Sequence, residues 1–274
     1  MNKLQKALGI NAIFSGTSGL GLILFHNTIA NIFEVVNSSI FWIIGAGLIL
    51  FATTIVYEIR KQRLLAILWI IIQDFIWVVG SAILLFIQPF NISSTGNNMI
   101  MTVALVVFFM AINQYYALAQ TDNLEKGRKQ LKFKRTINAS KSAVWKVISD
   151  VANYHQVAPN IDGVTIISGK DEGMVRSCSH GKDSWTETCS VWEEEKTYSF
   201  IVNTNTPDYP YPLSFLQGTW NVIEKDKNHT EIEMIFELKY KKKIITLFHP
   251  ILKTKFNQIS DGLLDNWKKI LENK

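Results

Sequence analysis

With 274 residues, 48 % of them hydrophobic and 19 % charged, the chain lies between an ordinary water-soluble protein and an integral membrane protein. That average hides two populations, because charges are scarce up to about Gln120 and then recur every few positions. The net charge of +5 suits an anionic membrane surface, and the lack of a dense Arg/Lys stripe interleaved with aromatics excludes nucleic acid as an expected partner.

Four windows reach the roughly 20 apolar residues that a spanning helix needs. They are residues 4–23 (with a continuation to Phe33), 40–57, 64–87 and 99–118. Lys3 and Lys6 precede the first window as in a signal peptide, but no small-residue cleavage site follows, and three further apolar segments do. Ala12/Gly16 and Ser15/Gly19 have the spacing that lets helices approach closely in lipid. Arg60, Lys61 and Arg63 separate windows two and three, and Lys126, Arg128, Lys129 and Lys132 follow window four, whereas the other two connections hold no Lys or Arg. This asymmetry predicts an integral membrane protein of a bacterial inner (plasma) membrane, with both termini cytoplasmic.

Asp74 falls about ten residues inside the third window, on the order of 15 Å deep, and no Lys or Arg lies within a span to pair with it. Ser15, Ser18 and Thr53, at comparable or slightly shallower depth on other helices, and the adjacent Gln73 are its expected polar companions, with Asn11, Asn113 and Gln114 nearer the cytoplasm. The group reads either as a proton or headgroup site or as a protonated carboxyl that fastens the bundle.

After a polar connector at 121–130, the pattern becomes that of strands with a helix at either end. A strand is expected at 131–137, a helix at 141–151 behind Ser140 as N-cap, and six strands at 164–168, 174–180, 184–192, 197–203, 213–224 and 230–240. A long amphipathic helix at 245–272 closes the chain, its stripe running through Phe248, Leu252, Phe256, Ile259, Leu263, Trp267 and Ile270. The expected architecture is thus a four-span α-helical membrane bundle (1–120), a linker (121–130) and an α+β helix-grip domain (131–274), a curved antiparallel sheet around the last helix.

Particular residues carry a resemblance here. Asn138-Ala-Ser-Lys-Ser-Ala-Val-Trp145 with Asp150 and Tyr154, Gly173-Met-Val-Arg176, Trp185-Thr-Glu187, the run Trp192 to Phe200, Gly218-Thr-Trp220 and the final helix together resemble the START-like SRPBCC superfamily, of the polyketide cyclase/dehydrase and lipid-transport type. The resemblance covers Phe133 to Asn273; the four spans resemble no family. It implies a cavity between sheet and helix, in a superfamily that holds lipid and quinone carriers, receptors, cyclases and oxygenase subunits.

A two-residue turn at Gly181-Lys182 sets Cys178 opposite Trp185 and Arg176 opposite Glu187. Met174, Arg176, Cys178, His180, Trp185, Glu187, Cys189 and Val191 then point toward the helix, and the Ser/Thr-rich face toward water. Buried charges must be paired or wet, so Arg176 and Glu187 read as a polar grip in an apolar pocket or as a cross-strand pair at its rim. The expected ligand-lining set is Arg176, Cys178, His180, Trp185, Glu187, Tyr198, Phe200, Trp220, Phe236 and Phe256. Cys178 and Cys189, without Cys-x-x-Cys spacing, read as reduced and buried, and neither a disulfide framework nor a zinc site is indicated. His155 and His180 have no sequence-evident partner for acid–base work, so no catalytic set, metal or cofactor is expected. The functions left open are a membrane-anchored binder or carrier of a lipid, quinone or polyketide-like molecule, a cyclase or dehydratase using Arg176, Glu187 or His180, and a transport or signalling bundle regulated by the second half.

Overall fold

A computed structural model describes residues 1–272. The expected C-terminal limits, Asn273 for the resemblance and Lys274 for the domain, lie outside the described residues. Two compact units follow one another, Met1–Thr121 and Asp122–Lys274.

The first unit is helical: α1 (Lys3–Leu24), α2 (His26–Phe33), α3 (Ser39–Lys61), α4 (Leu64–Ile87) and α5 (Ser94–Ala119). Four of these, α1, α3, α4 and α5, are long and apolar enough to cross a membrane. The expected continuation of the first span to Phe33 is corrected by a break at Phe25, whose φ of −114° and ψ of 22° leave the helical region and end α1 before α2 begins. Phe33 of α2 packs edge-on against Phe41 of α3, and the end of α2 is tied to the start of α5 by the Ser93 hydroxyl donating to the Ile32 carbonyl (2.6 Å).

Helix α1 packs closely along α3, because Gly19 and Gly45 let the two backbones meet. A Cβ on Gly45 would lie 2.7 Å from the Gly19 carbonyl oxygen, and one on Gly19 would lie 2.8 Å from that of Gly45. Helices α4 and α5 pair in turn, and α1 touches α5. Although a two-residue turn joins them, α3 and α4 barely touch, leaving a cleft of about 510 Å³ lined by Phe51, Thr54, Tyr57, Glu58, Trp69 and Gln73 among others.

The second unit contains β1 (Lys129–Ile137), α6 (Lys141–Ile148), β2 (Gly163–Ser168), β3 (Val175–His180), β4 (Asp183–Glu193), β5 (Thr197–Val202), β6 (Leu213–Asp226), β7 (His229–Tyr240), α7 (Lys243–Thr246) and α8 (His249–Glu272). The strands form one antiparallel sheet in the order β1-β7-β6-β5-β4-β3-β2. The core lies between its concave face and the two helices α6 and α8, where Val144, Trp145, Leu263, Leu264 and Trp267 meet Ile232, Met234 and Trp220. This is the helix-grip arrangement expected.

The closing helix does not begin at Ile245. A start there would place Pro250 in the second turn, where it would remove a hydrogen bond and clash with the preceding carbonyl. The chain instead makes a short α7 and restarts as α8 with Pro250 as its second residue.

Candidate functional site

The β3–β4 hairpin has the expected register, with Arg176 opposite Glu187 and Cys178 opposite Trp185. Alternation carries Arg176, Cys178, Trp185, Glu187 and Cys189 into the interior and leaves Ser177, Ser179, Thr186 and Thr188 on the outer face. Arg176 is 1 % exposed and Glu187 6 %. The guanidinium donates through Nε (2.9 Å) and Nη2 (2.6 Å) to Glu187 Oε2, and through Nη1 to the Val151 carbonyl (3.3 Å). Glu187 Oε1 accepts from Trp185 Nε1 at 2.8 Å, so both carboxylate oxygens are engaged.

Aromatic faces enclose the pair. The Arg176 guanidinium carbon lies 3.9 Å from the centre of the Phe200 ring and 4.9 Å from that of Tyr154. Burial opposes the charge on Arg176, but the adjacent Glu187 carboxylate outweighs it and raises its pKa. Burial likewise pushes the Cys178 thiol well up, so it is an inert apolar side chain rather than a nucleophile.

The wall continues on β5 and β6. Tyr198 donates its hydroxyl to the Ile148 carbonyl (2.8 Å) and stacks on Trp220 at 5.0 Å and 15°. Gly218 makes room for that indole: a Cβ there would meet the Trp220 ring at 2.6 Å. Tyr154 stands edge-on to Trp220, and Phe236 bridges Trp220 to Phe256 of α8. The Pro-rich stretch 207–212 folds inward, with Tyr209 buried and its ring 6.0 Å from Trp185.

Of the expected lining residues, nine gather here, with Phe236 and Phe256 partly exposed. His180 does not. It lies at the open turn, about half exposed, with Nδ1 3.2 Å from Asp162 Oδ2. Val191 also leaves the alternation, because a bulge between Cys189 and Val191 shifts the register of β4 against β5. Sequence reading missed Tyr154 and the Val151 carbonyl as parts of the site, because they come from connections that no strand periodicity marks; the 207–212 loop that carries Tyr209 reads from its aromatics and prolines as a pocket lid, a loop that dips into headgroups or an ordered surface loop. Two polar atoms in this interior are buried without a partner, Trp220 Nε1 and Tyr209 Oη. Each is a hydrogen-bonding position that an occupant of the interior would satisfy.

In the first unit Asp74, Asn11, Gln114 and Ser15 are all buried together. Asp74 Oδ2 accepts from Asn11 Nδ2 (2.7 Å) and Gln114 Nε2 (2.8 Å), and Asn11 Oδ1 accepts from Ser15 Oγ (2.9 Å). Three helices, α1, α4 and α5, are thereby joined. Gln73, expected beside Asp74, instead projects into the α3/α4 cleft, because neighbours in a helix point about 100° apart.

A seven-stranded antiparallel sheet gripping a C-terminal helix, with an aromatic interior around a buried charge pair, defines a helix-grip fold. The chain belongs to the family described as Polyketide cyclase / dehydrase and lipid transport, which matches residues 129–272, just over half its length. Comparison with curated proteins gives no match. Among solved structures, the Zhui aromatase/cyclase from Streptomyces sp. R1128 is similar at 12 % identity, over 52 % of this chain and 94 % of that one, with a TM-score of 0.42. A START superfamily protein from Mycobacterium smegmatis is similar at 12 % identity, over 53 % and 97 %, with a TM-score of 0.44.

Proposed function

We propose that this is a membrane-anchored binding or carrier protein for a hydrophobic or amphiphilic molecule, with the Arg176–Glu187 pair as the polar end of its site. The observation that carries the proposal is the content of the interior. A buried ion pair is a weak source of stability, often replaceable by apolar residues without loss. Unpartnered buried donors such as Trp220 Nε1 each cost about 1–3 kcal/mol. An interior that holds both suits an amphiphile whose polar atoms complete the hydrogen bonding. Tyr209 and Tyr211 close over Trp185, so the 207–212 stretch is the part that moves for entry.

The four apolar helices support an anchoring role, and the Lys/Arg asymmetry of their connections favours a sheet in the cytoplasm beside the inner leaflet of a bacterial plasma membrane. Anchoring raises the effective concentration of the site at the bilayer, which serves a lipid or quinone carrier more than an enzyme of soluble metabolites. A cyclase would require an acid–base group in the interior; Glu187 already accepts from Arg176 and Trp185, and His180 stands outside. Binding is therefore the reading retained.

The test is to purify the full chain in detergent, extract it, and identify co-purifying molecules by mass spectrometry. The expected result is an amphiphile near one per chain, reduced in Trp220→Phe and lost when Arg176 and Glu187 are replaced together by Met and Leu. Repeated recovery of no bound molecule would overturn the proposal.

A further inference from the structure

Where α7 gives way to α8, the surface is both greasy and basic. Ile244, Leu247, Phe248 and Ile251 are 60, 38, 52 and 52 % exposed. Their spacing keeps them on one side of the path, while Ile245, Leu252 and Phe256 turn inward onto the core. From Lys239 to Ser260 the chain has six lysines and no Asp or Glu, and Lys241, Lys242, Lys243 and Lys255 are exposed around the apolar group. Isolated exposed apolar residues need no explanation, but four together flanked along the chain by exposed lysines have the composition of an interfacial helix.

The patch also has a fixed seat. His249 beneath it is 1 % exposed, with Nδ1 2.8 Å from the Tyr240 hydroxyl and Nε2 3.1 Å from Asp122 Oδ2. Lys253 Nζ donates to the same Asp122 oxygen at 2.7 Å. Asp122 follows α5, the last of the apolar helices, by three residues of chain. The turn bearing the patch is thus bonded to the first residue of its own unit. On its other flank, the Lys241 amide donates to the Pro212 carbonyl (3.0 Å), at the end of the stretch that closes over Trp185.

We propose that Ile244, Leu247, Phe248 and Ile251, with Lys241, Lys242, Lys243 and Lys255, form a docking surface for anionic lipid headgroups. The apolar side chains enter the headgroup boundary and the ammonium groups meet phosphates. This rests on the membrane anchoring proposed above and deepens it: docking here seats the 207–212 stretch against the lipids from which a ligand would come.

The experiment is hydrogen–deuterium exchange on the full chain, one copy per nanodisc, in discs of phosphatidylcholine alone or mixed with phosphatidylglycerol. Peptides covering residues 241–252 should exchange roughly tenfold more slowly in the anionic discs. That protection should vanish in the triple variant Lys241→Glu/Lys242→Glu/Lys243→Glu and in Phe248→Ser/Ile251→Ser, while β6 and β7 peptides stay unchanged and report an intact fold. Equal exchange in the two discs, or protection that survives the lysine reversal, overturns the docking surface. Protection seen only when two copies share a disc assigns the patch to a contact between copies and overturns it too. A chain that stays outside the discs overturns the anchoring as well, which separates the two failures.

Discussion

Arg176 is among the largest fully buried side chains of the protein, and what surrounds it is the opposite of an empty greasy pocket. Replacing Arg176 with Met leaves Glu187 ionised and unpaired inside, which should lower unfolding stability by about 3–5 kcal/mol. Denaturant titration of the full chain followed by tryptophan fluorescence measures it. Adding Glu187→Leu should restore most of the loss, because an apolar pair of similar volume carries no charge to desolvate. A double variant as unstable as the single one would show that the pair is needed for packing, and would remove the reason to assign it to a ligand. Asp74 separates two roles in a similar way. Asp74→Asn offers the same oxygen to Asn11 and Gln114, so thermal stability in detergent should barely change. Asp74→Leu strands the Asn11 amide in the bundle, while Gln114 Nε2 keeps the Met110 carbonyl (3.1 Å), and should lower it by about 1–3 kcal/mol for the group left unpaired.

Elements, rather than residues, decide how the helices and the sheet hold together. The close approach of α1 and α3 predicts that Gly45→Leu destabilises the first unit by on the order of 1–3 kcal/mol, through overpacking against the Gly19 backbone. Gly47→Leu is the control, since nothing lies within 4 Å of a Cβ there. In the second unit, acid should weaken the seat of α8. Burial holds the His249 imidazole below its ordinary pKa, despite the hydrogen bond with Asp122. The unfolded chain therefore binds this proton more readily, and the stability present above roughly pH 6.5 is lost as pH falls below it. Burial also works to raise the Asp122 pKa, but hydrogen bonds from His249 and Lys253 prevail and lower it, so its contribution disappears only below the ordinary carboxylate range. Lys129, brought down to about 8 by burial, has already lost its contribution at neutral pH and adds no slope below it. The melting temperature should thus fall between pH 7.5 and 5.5, and His249→Gln should flatten that fall. A slope unchanged by the substitution would place the titration elsewhere.

Much of this was legible in the chain, for reasons that differ by element. Strand alternation and a two-residue turn leave a hairpin almost no freedom, so the Arg176/Glu187 pairing followed from counting. Helix breaks were less visible. Phe25 interrupts a run that holds no proline to mark the break, and α7 separates from α8 because Pro250 must sit in a first turn. The companions of Asp74 were only half visible: Asn11 and Ser15 share a face at four-residue spacing, but Gln114 arrives from a helix forty residues away. Tyr154 and Tyr209 reach the interior from irregular connections, where no period exists to point them there.

At the scale of the whole molecule, the arrangement across a bilayer is the decisive question, since binding and docking both depend on it. Helices α1, α3, α4 and α5 have 22, 23, 24 and 26 residues, which at the helical rise gives about 33–39 Å each, enough for the roughly 30 Å hydrocarbon core. If all four cross, as proposed, the even number returns the chain to its starting side, so the short connection at Gln62 would share a side with the second unit and the one at Asn91 would face the opposite side. The proposed orientation, with the Gln62 side cytoplasmic, rests on the lysine and arginine distribution. Both native cysteines are buried, so single added thiols can be read without interference. In intact bacterial cells expressing the protein, a membrane-impermeant maleimide should label Asn91→Cys and spare Gln62→Cys, and permeabilisation should expose the latter. The reverse pattern would put the sheet outside the cell and sink the inner-leaflet carrier. Labelling of both positions in intact cells would mean that α3 and α4 do not cross as a pair, and would leave the α3/α4 cleft rather than the helix grip as the place to look for a lipid.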